Sequence, residues 1–594
     1  MEKNKIDNKY KWDLTKIIKD DEEFEKVYNE VLEMGKSLSK YKGKIALNKD
    51  NFKSFLELDE KLDRLFTKLY IYANLYCDLD TTNEHGKVLK SKVEKLSEKV
   101  NDYTVFVTPE LLSNDIDVYF KFMEEDKSLE KYKFELVQIF RYKEHTLSIE
   151  EENIINQSSN ALGVGSEVFY NLDNSDIRLG NIICDGKEIE LTNSNYIKFL
   201  TNKDRTVRKQ AFEKLYEYFA NHKNTLAACL KGNVKENWYI SKVRGYKSPL
   251  SQSLYADAID ESVYTNLIDT VHKNLNLIYD FMEVRRKALN LDELHMYDIF
   301  VNLSNEIDKD IPFEEGKKIV LEALKPLGDK YINDLSHAFT DGWIDAYPSR
   351  GKKSGAYQWG CYDTTPYVLL NYENTVDDVS TMAHELGHAM HSYYSNKNQD
   401  YIYSNYPIFL AEIASTVNEI LLNEYLYRNS TSKEDKITYL VDFLDKVRTT
   451  IVRQTMFAEF EKIIHEKEND GVPLTSEELC NIYYDLNKLY FGPKVKSDEE
   501  IKYEWSRIPH FYTSFYVYKY ATGLSSAIAL ASNILDNKPN AKEVYLEFLS
   551  SGGKDYPLNI LKKAGVDMTN PESIQISFDM FSKKLEELKA LLLK

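Results

Sequence analysis

The chain has 594 residues, of which 29% are charged and 43% hydrophobic, and a formal net charge of −19. Such acidity argues against nucleic acid or an anionic membrane as the main partner, and no apolar run approaches the ~20 residues that a bilayer-spanning helix requires. The length provides ample core and implies at least two lobes. Five scattered cysteines (Cys77, Cys184, Cys229, Cys361 and Cys480) without C-x-x-C spacing read as reduced thiols, mostly core filler, of a cytoplasmic protein. Met1-Glu2-Lys3-Asn4-Lys5 has no apolar stretch of the kind a secretion signal carries.

In chain order, the residues from Glu22 to about Ser148 repeat a helical period rich in Leu, Lys and Glu, with Asp20 and Asp21 positioned to cap the first run. The segment 177–191 reads as a β-hairpin turning at Asp185-Gly186. Helices resume from about Asn195. A division into 1–200 and 201–594 is expected, although no Pro/Gly/Ser linker marks it. A second extended region covers Ala356 to Tyr372, and Pro366 within it points to an edge strand. Such an edge could accept an extended peptide as an added strand. Helices then continue to the end, with breaks expected near Gly523 and Gly552.

The extended region leads directly into His384-Glu385-Leu386-Gly387-His388, an H-E-x-x-H motif. Thr375-Val376-Asp377-Asp378 fits a capping box at the start of a helix that no proline interrupts before Tyr394. Val379, Met382, Leu386, Met390 and Tyr393 form its apolar stripe, and His384, His388 and His391 the opposite one. Two imidazoles four residues apart on one helix face can grip one zinc ion, and the glutamate between them can serve as general base toward a water that the metal acidifies. A third ligand is required. Glu412 and Glu419, on a second helical stretch downstream, are candidates, and His391 is a rival. Further on, Ile508 to Gly523 is crowded with aromatics. At helical spacing Tyr512, Tyr516 and Tyr520 share one stripe, and Phe511, Phe515 and Tyr518 another.

Several of these segments together carry a resemblance. Gly355-Ala356-Tyr357, the run Tyr362 to Tyr372, H-E-L-G-H-A-M-H at 384–391 and A-E-I-A-S-T-x-N-E at 411–419 resemble oligoendopeptidase F, a bacterial branch of the thimet oligopeptidase family of zinc peptidases. Trp12-Asp13-Leu14, Ser551-Gly552-Gly553-Lys554-Asp555-Tyr556-Pro557 and Lys563-Ala564-Gly565-Val566-Asp567-Met568 extend the likeness over the whole chain. The resemblance implies a mainly α fold, a large helical shell of two lobes around a deep channel, with a small β-sheet next to the H-E-x-x-H helix. It implies one zinc per chain held by His384, His388 and Glu412, with Glu385 as catalytic base. It further implies His510 and a tyrosine, Tyr516 ahead of Tyr512 and Tyr518, as donors to the substrate carbonyl and the developing oxyanion. Gly355, Tyr357, Tyr362, Tyr512 and Tyr518 become candidates for contact with substrate. The activity so implied is endopeptidase cleavage of short unstructured oligopeptides. Release of C-terminal dipeptides, or a silent peptide-binding scaffold, stand as alternatives.

Overall fold

The computed structural model describes residues 6–304 and 309–593; Met1 to Lys5, read above for a secretion signal, lie outside them. The described chain is mainly helical, with three small sheets, and no helix among the described residues is long and apolar enough to cross a membrane. It divides into two compact units interleaved in sequence. The first comprises 1–144, 308–425 and 530–565, and the second 145–307, 426–529 and 566–594.

In the first unit, helices Asp21–Leu38, Lys49–Asp78 and Glu84–Thr104 pack on one another. Each begins where its sequence supplies a cap. Asp20 accepts from the Glu23 N–H, Asn48 from Asn51 and Asn83 from Gly86, which satisfies donors that have no partner within a helix. Their buried faces merge with a three-stranded sheet in the order Ile344–Asp345, Tyr367–Leu369, Tyr357–Trp359. Trp12 ties the start of the chain to it, its indole N–H lying 2.8 Å from Trp343 O and 3.0 Å from Val368 O. Beneath the sheet, Lys352 is almost wholly enclosed, its ammonium directed at Asp345 Oδ1 (2.6 Å) and at the carbonyls of Asp345, Tyr347 and Leu370.

The strand that follows Pro366 is the centre of this sheet, not its edge: it pairs parallel with Ile344–Asp345 and antiparallel with Tyr357–Trp359. Pro366 directly precedes the first paired residue, so its missing N–H removes no ladder bond. The edge facing the H-E-x-x-H helix is Tyr357–Trp359.

In the second unit, long helices Arg205–Val243, Glu261–Ala288, Arg453–Asn469, Ser476–Phe491 and Glu572–Leu592 supply most of the core. The expected hairpin is present, Asn181–Cys184 pairing antiparallel with Lys187–Glu190. Asp185 and Gly186 both have positive φ, +51° and +71°, as a turn matched to strand twist demands. Arg205 and Arg208 both reach the buried carboxylate of Asp298, at 2.8 and 2.7 Å.

Two expectations about the C-terminal third fail. Gly523 does not break a helix; it lies within Tyr518–Leu535. The residues before that helix are not one helical run either: Pro509–Tyr512 is a short 3-10 turn, and Phe515 has φ +62°. The Phe515 N–H donates to the buried carboxylate of Glu461 at 3.0 Å, a distant partner that no local period could reveal. Gly552, by contrast, is at a break, with φ +51°, and the Gly553 N–H donates to Tyr403 O at 2.8 Å.

Candidate active site

The H-E-x-x-H sequence lies on the helix Val376–Asn398. Thr375 caps it through a reciprocal box: its hydroxyl accepts from the Asp378 N–H at 3.1 Å, and Asp378 accepts from the Thr375 N–H at 2.9 Å. Val379, Met382, Leu386 and Met390 are buried as their spacing requires, whereas Tyr393 is only half-buried.

A second helix, Ile408–Asn429, packs against the first at very short range. Gly387 makes this possible: a Cβ placed there would meet Ser415 Cα at 2.5 Å and Ala414 O at 2.7 Å. Asn418 bridges the pair, donating to the Ala383 carbonyl at 3.0 Å from a fully buried position. The close approach brings Glu412 to the two imidazoles. Its Oε2 lies 3.5 Å from His384 Nε2 and 3.5 Å from His388 Nε2, and the two Nε2 atoms are 3.2 Å apart. Zinc–ligand bonds of about 2.0–2.1 Å in a tetrahedron give edges of about 3.4 Å. Two imidazole nitrogens and one carboxylate oxygen at these separations therefore fit such an ion, and His384, His388 and Glu412 form a metal-ready group.

Glu419, the other acid on that helix, instead meets the Nδ1 of His384. This leaves Nε2 directed toward Glu412 and His388 and fixes the ring, the arrangement a metal-ligating histidine ordinarily has. The two glutamates that sequence spacing left as alternatives thus take different places around one imidazole. His391 does not join them. Although it shares the helix face, it is in the core at 1% exposure, stacked on Tyr406 with ring centroids 3.6 Å apart. Burial pushes its pKa down to about 3. The expectation that His391 lies with His384 and His388 opposite the apolar stripe, as a rival ligand, is corrected accordingly: the Tyr406 ring covers it.

Glu385 is 7% exposed. Burial raises its pKa, while the two histidines oppose that rise. The backbone N–H of Gln358, on the sheet edge, acts weakly in the same sense as the histidines. The Gln358 side chain accepts from Ser392 at 3.2 Å, and Ser392 lies 3.1 Å from the Tyr406 hydroxyl. Glu412, half-exposed, has its pKa held down to about 2, first by its bond to His388. The remaining candidates of this unit are more peripheral. Gly355 is exposed with φ +81°, and its carbonyl accepts from Asn371 at 2.8 Å. The Tyr357 hydroxyl donates to Asp78 at 2.6 Å, and that of Tyr362 to Gln399 O at 3.1 Å.

His510 and the tyrosines belong to the second unit. His510 is half-buried, its pKa lowered by burial and by the nearby Arg453 guanidinium. Its Nε2 is 3.3 Å from the hydroxyl of Tyr520, and the Tyr516 and Tyr520 rings meet edge to face at 5.4 Å. Tyr520 was not among the sequence-derived site candidates; the signal is a tyrosine one 3-10 turn and one irregular connection beyond the histidine, invisible under a helical period. Tyr512 stacks on Phe169 at 4.3 Å, and Tyr518 is fully buried beside Tyr264. Neither Tyr512 nor Tyr518 shares the pairing with His510.

Residues 198–580 match the model of peptidase family M3, and residues 110–178 that of oligopeptidase F. Oligopeptidase PepF of Bacillus subtilis is 42% identical over 98% of this chain and 87% of its own length. Group B oligopeptidase PepB of Streptococcus agalactiae is 40% identical over 99% of this chain and 98% of its own. Among solved structures, a peptidase from Chlamydophila abortus has 37% identity and a TM-score of 0.93, covering 99% of both chains. Oligoendopeptidase-F from Enterococcus faecium has 35% identity and a TM-score of 0.73 over 96% of this chain and 99% of its own. With H-E-x-x-H on one helix, a glutamate of the next helix closing a metal-ready triad and matches that run the length of the molecule, the chain belongs to peptidase family M3, in its oligopeptidase F branch, and is a metalloendopeptidase.

Proposed function

We propose that the protein is a cytoplasmic, zinc-dependent endopeptidase that hydrolyses internal bonds of short, unstructured oligopeptides, with residues 201–594 as its catalytic domain and 1–200 as a helical amino-terminal domain. The observation that carries this reading is the spacing of His384, His388 and Glu412, which suits one zinc ion. Bound there, zinc supplies Lewis acidity toward a carbonyl oxygen and acidifies water. Glu385 takes a proton from the attacking water and passes it to the departing amine. His510, paired with Tyr520 and flanked by Tyr516, donates hydrogen bonds to the carbonyl oxygen as negative charge develops. The names of the relatives, oligopeptidase and oligoendopeptidase, support peptides as the substrate class.

The test is incubation with a mixed peptide library, with and without a chelator, followed by identification of the new ends. Internal cuts that the chelator abolishes and zinc restores are expected. Cleavage should persist when both peptide termini are blocked, and denatured casein should be cut slowly. Exclusive release of C-terminal dipeptides, with no cutting of amidated peptides, would overturn the endopeptidase assignment.

A further inference from the structure

Three residues before His510, the second unit carries a cluster of two arginines and two acids that the chemistry above does not use. Arg453 and Arg507 converge there on one carboxylate, Glu504. Glu504 is 6% exposed and already committed. Its Oε1 takes the Arg453 guanidinium at 2.8 Å, and its Oε2 accepts the buried Tyr483 hydroxyl. Arg507 makes only a looser ion pair with the same carboxylate. It stands 3.6 Å from Glu504 Oε1, beyond hydrogen-bond reach, and no group among the described residues accepts a hydrogen bond from its guanidinium. Asp173 is the second acid facing it, without a hydrogen bond between them, and burial pushes the Asp173 carboxyl up. Arg507 lies over the ring of Tyr196, which is 4% exposed. Yet 23% of the Arg507 side chain, and 23% of Arg453, remains open to solvent.

An arginine with unused donors, set among buried side chains but reachable from solvent, is suited to a planar anion that it can bind with two parallel hydrogen bonds. We propose that Arg507, backed by Arg453, is a receptor for a carboxylate of the peptide substrate, supplied by the C-terminus or by an Asp or Glu side chain. This rests on the peptidase reading and on His510 as a group that touches substrate. The site lies on the same short segment, so a carboxylate held by Arg507 fixes how far from the anion the chain is presented to His510. It gives an endopeptidase a preference measured from an anionic group, without making that group obligatory.

The experiment uses one internally quenched peptide in three versions: free C-terminal carboxylate, C-terminal amide, and amide with a terminal Glu. For the metal-loaded wild type, kcat/KM for the better carboxylate version should exceed that for the plain amide by about 10- to 100-fold, carried by KM, as expected for hydrogen bonds to a charged group. The readout is this ratio. In Arg507→Gln it should collapse toward one, and Arg507→Lys should retain part of it. Preference for the free carboxylate alone identifies the terminus as the ligand, and equal preference for the terminal Glu identifies the side chain. A wild-type ratio of one, or an unchanged ratio in Arg507→Gln, overturns the proposal. Should Arg507→Gln not fold, product inhibition of the wild type decides: the carboxylate product must inhibit more tightly than its amide, and equal inhibition overturns the proposal. Failure of the wild type to cut any version strikes the peptidase reading itself and is a separate result.

Discussion

The metal-helix pair of the first unit and the aromatic segment Ile508–Gly523 of the second hold the two groups of side chains best equipped for chemistry, and they are built in opposite ways. The helix pair is regular. Its cap is local, its two metal-ready histidines repeat at helical spacing, and its close approach depends on one glycine, Gly387, against Ser415. The aromatic segment is irregular. A 3-10 turn and a left-handed Phe515, held by Glu461 from another helix, bring His510 to Tyr520. A regular helix can place two ligands by sequence spacing alone. An irregular connection places its groups only through contacts made far away in the chain.

The largest effects are expected at the metal-ready group. Glu412→Ala should lose metal and reduce turnover to background, whereas His391→Ala, which removes a core ring stacked on Tyr406, should keep its metal and lose stability by about 2–4 kcal/mol. Elemental analysis and thermal denaturation of the two variants separate them; loss of metal in His391→Ala alone would reverse the assignment. In the aromatic segment, His510→Ala should lower kcat by about 10²–10³-fold with metal retained, since it removes one donor to developing charge. Near-wild-type turnover would free that segment of its proposed role.

A smaller effect is expected one step from the ligands. Glu419→Gln leaves the metal-ready group in place but weakens the hold on His384, and should cost about 10- to 100-fold in metal affinity. Competition with a chromogenic chelator measures it. The smallest effects contrast the two glycines. Gly387→Ala forces a Cβ into Ser415 Cα and should destabilise by about 1–3 kcal/mol or more. At Gly523 nothing lies within 4 Å of the added carbon, and the substitution should be neutral or stabilise the helix by up to about 1 kcal/mol. Equal melting temperatures would deny that the helix approach is as tight as described.

The same contrast explains what could be read from the sequence. The Thr375 box, the placing of His384 and His388 on one helix face, the Asp185-Gly186 turn and the cap at Asp20 are local, and all four are as their residues indicate. Spacing left Glu412 and Glu419 open, because only the crossing of two helices decides which carboxylate reaches Nε2 and which reaches Nδ1. The fate of His391 turned on Tyr406, fifteen residues downstream. Pro366 misled because a proline just ahead of a central strand looks in sequence like one at an edge. The stripes drawn through Tyr512, Tyr516 and Tyr520 assumed a helix that Glu461 replaces with a left-handed turn at Phe515.

In the proposed reaction Glu385, held between His384 and His388, does the work of hydrolysis. Glu385→Gln tests it most directly, because the change preserves shape and removes only the ability to take up a proton. The variant should fold as the wild type does and bind about one zinc per chain, while its turnover of a blocked oligopeptide falls by at least ~10²-fold. Wild-type turnover in a metal-loaded Glu385→Gln protein would contradict the account.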